Sequence, residues 1–298
     1  MSLVAFLGAV ELGLIYGLVA LAVYLSFRVL SFPDLTVDGS FPLGAAVVAA
    51  AITGGLGAWL GTALAVAAGG VAGLVTALLN VRFRILHLLA SILTMIALYS
   101  INIRIMGRPN VALLGEATVL TPFEGLGLPS LWVRPAVLLV VAGVCAGLLV
   151  RFLASEVGLA MRATGVNPRM AEAQGIQVGA VTCLGMALSN GFAALAGALF
   201  AQANGFADVT LGTGTIVVGL AALIIGETLV PRPTVAAAVL GCLLGSVVYR
   251  IAVALALEAD VLGLQASDLN LVTAVLVGGA LVLPATRARL LARWAPAR

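Results

Sequence analysis

"SFPDLTVDGSFPLG", residues 31–44, interrupts a chain that otherwise reads as one apolar run after another. Two prolines, two acids and two glycines stand where a membrane helix should be most uniform. Proline removes a helix hydrogen bond and glycine weakens the turn it occupies, so a helix breaks here. Inside a bilayer, non-helical backbone survives only where protein or a water-filled path covers it. The segment therefore marks either a structural joint or the wall of a passage.

The surroundings are those of a membrane. The chain has 298 residues, of which 62% are hydrophobic and 9% charged. A soluble domain carries about 25% charged residues. Apolar stretches long enough to cross a bilayer, about 20 residues each, recur throughout. The fold class is all-α: a polytopic transmembrane helical bundle of about nine segments in two inverted repeats with short broken helices. The alternating short strands of a β-barrel are absent from the sequence. All fifteen basic residues are arginine. Without lysine the chain cannot carry a G-x-x-x-x-G-K-[ST] phosphate loop, so any ATP-driven work is energised by another subunit. Cys145, Cys183 and Cys242 stand singly in apolar runs and read as small packing residues. No positive charge precedes Arg28, so the first segment is expected to stay as a helix rather than be cleaved as a leader.

The expected spans are 3–27, 41–55, 57–79, 85–107, 131–150, 179–202, 213–228, 233–256 and 269–285, the second and seventh being short for a full crossing. With each span crossing, Arg28, Arg82, Arg84, Arg151, Arg162, Arg169, Arg232, Arg287, Arg289, Arg293 and Arg298 fall on one side. Arg104, Arg108 and Arg134 fall on the other, with most of the loop acids. The arginine-rich side is cytoplasmic by the positive-inside rule, which puts the N-terminus outside and the C-terminus inside. Arg250 lies well within its span and either snorkels outward toward Glu258 or Asp260 or faces a pore. Glycines at four-residue spacing (13 and 17, 57 and 61, 69 and 73, 241 and 245) predict close helix packing.

The broken segment has a twin. Residues 32–37 read "FPDLTV" and residues 206–211 read "FADVTL", so that Phe, Asp and Thr coincide at one offset. A polar, glycine-bearing stretch and a short apolar helix follow each. Five spans lie between them, and an odd number reverses direction. This is the footprint of an inverted repeat, here 3–150 and 179–285 within one permease-like domain, 1–298, and interrupted helices at matching places point to a transport site. Candidates for the translocation path are Asp34, Thr36, Asp38, Ser40, Ser91, Thr94, Asn190, Gln202, Asn204, Asp208, Thr210 and Thr213. Each also has a plainer reading. Asp38 or Ser40 suits the cap of a helix beginning near Pro42, and Thr213 or Thr215 the cap of the second short helix. Asp34 and Asp208 suit capping or interfacial solvation. The polar residues inside long spans suit bonds between helices, worth about 1 kcal/mol each. His87 has no partner in the sequence and reads as a packed ring. Glu227 either pairs with Arg232 or has a gating role.

Residues 154–178 form the longest polar stretch on the arginine-rich side. Gly165 reads as a break, Asn167 as a cap, Pro168 as a first helical residue and Gly175 as an end, which predicts a short helix over 168–174. The run Gly158, Arg162, Ala163, Gly165, Asn167, Ala171, Gly175, Ile176 resembles the cytoplasmic coupling region of ABC importer permeases of the branched-chain amino acid and ribose type. "PDLTVDGS", "ILHLLASILTM" and "GFADVTLGTGTIVVGLAALIIGE" extend the resemblance over roughly residues 20–285, and within the family it resembles the tryptophan- or tyrosine-type permeases. That family's ten helices form two inverted groups of five; this chain matches all but the first.

The resemblance implies a permease subunit of the bacterial inner membrane that imports a small organic solute, amino acid-like in this branch, by alternating access. It implies cytoplasmic ABC ATPase subunits as partners, an extracytoplasmic solute-binding protein, and a second permease, expected to be an identical copy. ATP and magnesium would be bound by the ATPase and no cofactor by this chain, which would not itself be an enzyme; no nucleic-acid partner is expected. Gly158, Arg162, Ala163, Gly165, Asn167, Pro168, Glu172 and Gly175 would form the ATPase-coupling element. The alternative is an ion-coupled secondary transporter, which also uses broken helices but needs acids at the midplane, whereas most acids here fall in loops.

Overall fold

The computed structural model describes residues 2–124, 130–230 and 234–258, together with 275, 278 and 279. Helix α1 (Leu3–Val23) is apolar on all faces, and such a helix is stable only when surrounded. From Leu14 to Val29 it is almost wholly buried and forms the centre of the bundle. Its last turn widens into a π-helical segment, Tyr24–Val29, closed by the Leu30 N–H on the Leu25 carbonyl at 3.1 Å. The chain then leaves helical geometry over 30–36, with Ser31 at a left-handed φ of 53°.

Helix α2 (Val37–Thr53) follows, then α3 (Ala58–Val81), α4 (His87–Met106), strand β1 (Asn110–Ala112), the single turn α5 (Thr121–Glu124) and α6 (Ser130–Ala154). Two short helices, α7 (Glu156–Val166) and α8 (Pro168–Ala173), lead into α9 (Val178–Asn204). Strand β2 (Phe206–Asp208) pairs antiparallel with β1, Asn110 opposite Asp208. A 3₁₀ turn (Val209–Gly212), α10 (Thr215–Leu229) and α11 (Val235–Glu258) complete the described chain. Among the described residues seven helical segments are long and apolar enough to span a membrane, and Val37–Thr53 is a shorter apolar helix. The expected ninth span, 269–285, lies outside the described residues apart from 275, 278 and 279.

Helices α1, α2 and α9 form the interior, while α3, α4 and α6 turn rows of Leu, Ile and Val outward. Small residues bring the interior backbones together. A Cβ on Gly44 would collide with the Ala194 carbonyl, and one on Gly197 with the Phe41 carbonyl, so α2 and α9 touch backbone to backbone. Gly69 and Gly73 seat α3 on Asn190 and Met186 of α9, while Gly241 and Gly245 seat α11 on α10. Lipid offers no hydrophobic drive between helices, so this close van der Waals contact is what selects the arrangement. Gly57 departs from the expected packing role: at φ 81° it is the turn residue that starts α3, with open space around it.

Candidate functional site: two broken helices around one cavity

The twin motifs fold alike. In the first, Asp34 Oδ1 accepts the Thr36 N–H at 2.9 Å; in the second, Asp208 Oδ1 accepts the Thr210 N–H at 2.7 Å. Aspartate closes this turn because its short side chain reaches a backbone N–H two residues on. The two carboxylates then diverge. Asp34 is fully buried, and its Oδ2 accepts the Asn190 amide at 2.8 Å. Asn190 Oδ1 in turn accepts the Ser40 hydroxyl at 2.7 Å, and the Thr36 hydroxyl meets that of Thr76 at 2.8 Å. The break is thus pinned to α9 and α3 by side chains that answer one another in an apolar interior, where an unanswered polar group is costly. Asp208 is only half-buried. Burial disfavours its charged form, but hydrogen bonds from Thr210 and from Asn110 at 3.0 Å outweigh it and hold its carboxyl below the ordinary carboxylate value.

Asp38 joins the motifs. Its Oδ1 accepts the Ile216 N–H at 2.7 Å and its Oδ2 the Gly214 N–H at 3.4 Å. A helix start carries unpaired N–H groups and the positive end of its dipole, which a carboxylate answers on both counts. The cap of α10 therefore comes from the other broken segment, not from Thr213 or Thr215. Helix α2 itself begins at Val37, earlier than the expected start near Pro42, which stands inside the helix; Ser40 is bonded to Asn190 rather than capping. Gly212 packs on the Asp38 carbonyl so closely that a Cβ would clash. A cavity of about 460 Å³ opens beside this junction, lined by Asp38, Pro42, Tyr99, Asn102, Thr210 and Thr213 among others.

The remaining path candidates scatter. Ser91 and Thr94 are buried and return their hydroxyls to carbonyls of their own helix. Gln202 ties α9 to Thr62 of α3 and to the Val119 N–H, and Asn204 bonds back to the Phe200 carbonyl. Thr76 was not among the expected residues; it extends the Gly69–Gly73 stripe by one helical step, the only sequence signal for it. Asn102 carries the signal that Asn190 does, a polar residue within a long apolar span, whereas Tyr99 carries none. His87 stacks on Phe32 with ring centroids 4.3 Å apart.

At the arginine-rich end, α8 forms as expected. Asn167 Oδ1 accepts the Met170 N–H at 3.1 Å, Pro168 takes the first turn, and Gly175 follows at φ 82°. Gly165 does not break a helix. It lies within α7, where a Cβ would strike the Val29 carbonyl, so it docks α7 against the π-helical end of α1. Gly158 likewise brings α7 onto Leu153. Ala163, Asn167, Pro168, Glu172 and Gly175 are exposed, as are Val166 (87%) and Met170 (62%). Arg162 is half-buried, its Nε without a hydrogen-bond partner among the described residues. Glu227 pairs with Arg28 at 2.5 Å through both oxygens, which ties the end of α10 to the end of the first span; Arg232 lies outside the described residues. Arg250 lies with its guanidinium 3.8 Å from the Tyr16 ring centroid, a cation–π contact; Asp260 lies outside the described residues.

A multi-pass helical membrane protein with two matched helix breaks around a cavity defines the class as a transporter-type permease. The family described as "Branched-chain amino acid transport system / permease component" matches residues 6–284, and the chain belongs to it. It is 38% identical over 265 residues to the "Tyrosine transport system permease protein" of Clostridioides difficile (strain R20291), covering 89% of this chain and 86% of that one. It is 34% identical over 273 residues to the protein RP368 of Rickettsia prowazekii (strain Madrid E), covering 90% and 94% respectively. No solved structure gives a significant match.

Proposed function

We propose that this chain is the membrane subunit of an ATP-driven importer of the bacterial inner membrane and carries a small, amino acid-like solute by alternating access. The observation that carries the reading is the junction at Asp38, where one broken helix caps the other beside a cavity. Two elements that meet end to end at a shared cap can separate and re-form as units, which is what access from alternate sides requires. The amino acid-like solute follows from membership of a branched-chain amino acid permease family and from the tyrosine-transport name of the relative.

The chain lacks lysine, so the energy comes from a separate ATPase. In this reading α8 seats in a groove of that ATPase through its exposed Met170 and Glu172, and α7 transmits the movement to α1 through the Gly165–Val29 contact. In the same reading this end is cytoplasmic and the N-terminus outside, which the arginine asymmetry supports. A second, identical copy completes the pore, and an extracytoplasmic binding protein delivers the solute.

The test is co-expression with the ATPase encoded beside it, co-purification, and uptake into proteoliposomes. ATP-dependent uptake and a complex weakened by Glu172→Arg are expected. Intact binding by Glu172→Arg would reject α8 as the docking element. Uptake that follows an ion gradient without ATP would replace the importer with the ion-coupled reading.

A further inference from the structure

Asn102 stands beside the cavity with an unanswered oxygen. The residue is fully buried on α4, its amide nitrogen donates to the Gly39 carbonyl at 3.3 Å, and its Oδ1 has no hydrogen-bond partner among the described residues. The Gly39 bond fixes which end of the amide is which, since a flipped amide would set oxygen against oxygen. A buried acceptor left without a donor is rare and unfavourable, so a donor belongs near it. Asp38 borders the same cavity. Its carboxylate gives two of about four lone-pair positions to the start of α10. The other walls include the apolar Pro42, Met95, Ile96 and Val209 and the ring of Tyr99.

We propose, building on the transport reading above, that this cavity holds the protonated primary amine of the solute, with Asp38 as its anionic partner and Asn102 Oδ1 as a neutral acceptor. Both groups accept, so the ligand must donate. Asp38 carries the charge that a cation completes and that a bare carboxylate meets with repulsion. The apolar walls and the Tyr99 ring take a hydrocarbon or aromatic body, and aromatic rings attract cations over their faces. A volume of about 460 Å³ is of single-amino-acid scale, within the roughly 300–1,000 Å³ usual for small-molecule sites. The ligand class is a compact amine on an apolar or aromatic body, and Asn102 is the specificity residue that distinguishes it from the corresponding acid.

The test uses the full chain purified in detergent, with thermal unfolding followed against three probes: L-tyrosine, tyramine and 3-(4-hydroxyphenyl)propionate. Ligands that bind the folded state raise the melting temperature by mass action. The two amines are expected to stabilise the chain and the deaminated acid to leave it unchanged. Asn102→Leu should weaken amine binding by about tenfold or more, the loss of one buried hydrogen bond. Asp38→Asn removes the anionic partner while keeping an oxygen that can accept from Ile216, and should lose amine binding; it carries the test should the leucine variant fail to fold. Equal stabilisation by the acid, no stabilisation by either amine, or wild-type amine affinity in Asn102→Leu or in Asp38→Asn would each overturn the proposal. Failure of the importer reading shows elsewhere, as absent ATPase binding and ATP-driven uptake with amine binding intact.

Discussion

Replacing Asp38 with alanine separates the cross-motif cap from every cap that is local in sequence. The carboxylate answers two backbone N–H groups at the start of α10, at 2.7 and 3.4 Å. An N-cap of this kind contributes about 0.5–2 kcal/mol, and a negative charge at the positive end of the helix dipole about 0.3–1 kcal/mol more. Deleting a half-buried charge also returns some desolvation cost, which offsets part of the loss. The net expectation is a destabilisation of about 2 kcal/mol, or roughly 4 °C in melting temperature for a chain of this size. Asp38→Asn keeps one oxygen that can accept from Ile216 and should lose less than half as much. Thr213→Ala removes a residue that the sequence also nominates as a cap but that makes no side-chain bond to α10, and should fall within about 0.5 kcal/mol of the wild type. The assay is thermal unfolding in detergent, with hydrogen exchange at Gly214 and Ile216 as a local readout. The reasoning fails if Thr213→Ala costs as much as Asp38→Ala, or if Asp38→Ala leaves exchange at Ile216 unchanged.

Other outcomes follow from the same geometry. Asn190→Leu leaves the fully buried Asp34 carboxylate and the Ser40 hydroxyl without their partner, so a loss of about 3–5 kcal/mol is expected, seen as low yield and early melting. A near-normal melting curve would refute the network. Gly165→Val should prevent α7 from docking on Val29, lowering the melting temperature far more than Ala163→Ser at an exposed site; proteolysis within 156–175 is the check. Glu227→Gln breaks an exposed ion pair with Arg28 and should cost no more than about 1 kcal/mol, with the difference shrinking in high salt. Asp208 has a depressed carboxyl, so its stabilising effect is present in full above its unfolded-state value and disappears as pH falls through its folded-state value. Wild type and Asp208→Asn should therefore differ in melting temperature at neutral pH and converge in strong acid.

The amino-acid sequence by itself determined the membrane class, the positions of most spans, the two matched helix breaks and the short helix α8. Each depends on local chemistry: apolar length, a proline or glycine where a helix must stop, an aspartate two residues before a free N–H, an asparagine three before another. The sequence also nominated Asp34, Ser40 and Asn190, because polar residues in apolar runs must find partners. What it did not carry was which partner each would find. Asp38 caps a helix that starts some 176 residues later, Glu227 answers Arg28 from the far end of the chain, and Gly165 serves a contact with Val29 instead of a break. Thr76 looked like any helix hydroxyl, and Asn102 stood out in sequence as much as Asn190 but without a partner named. These assignments depend on which backbones approach one another, and that is decided when α1, α2 and α9 pack. Distances across a folded bundle are a property of the whole arrangement, so only the tertiary structure could supply them.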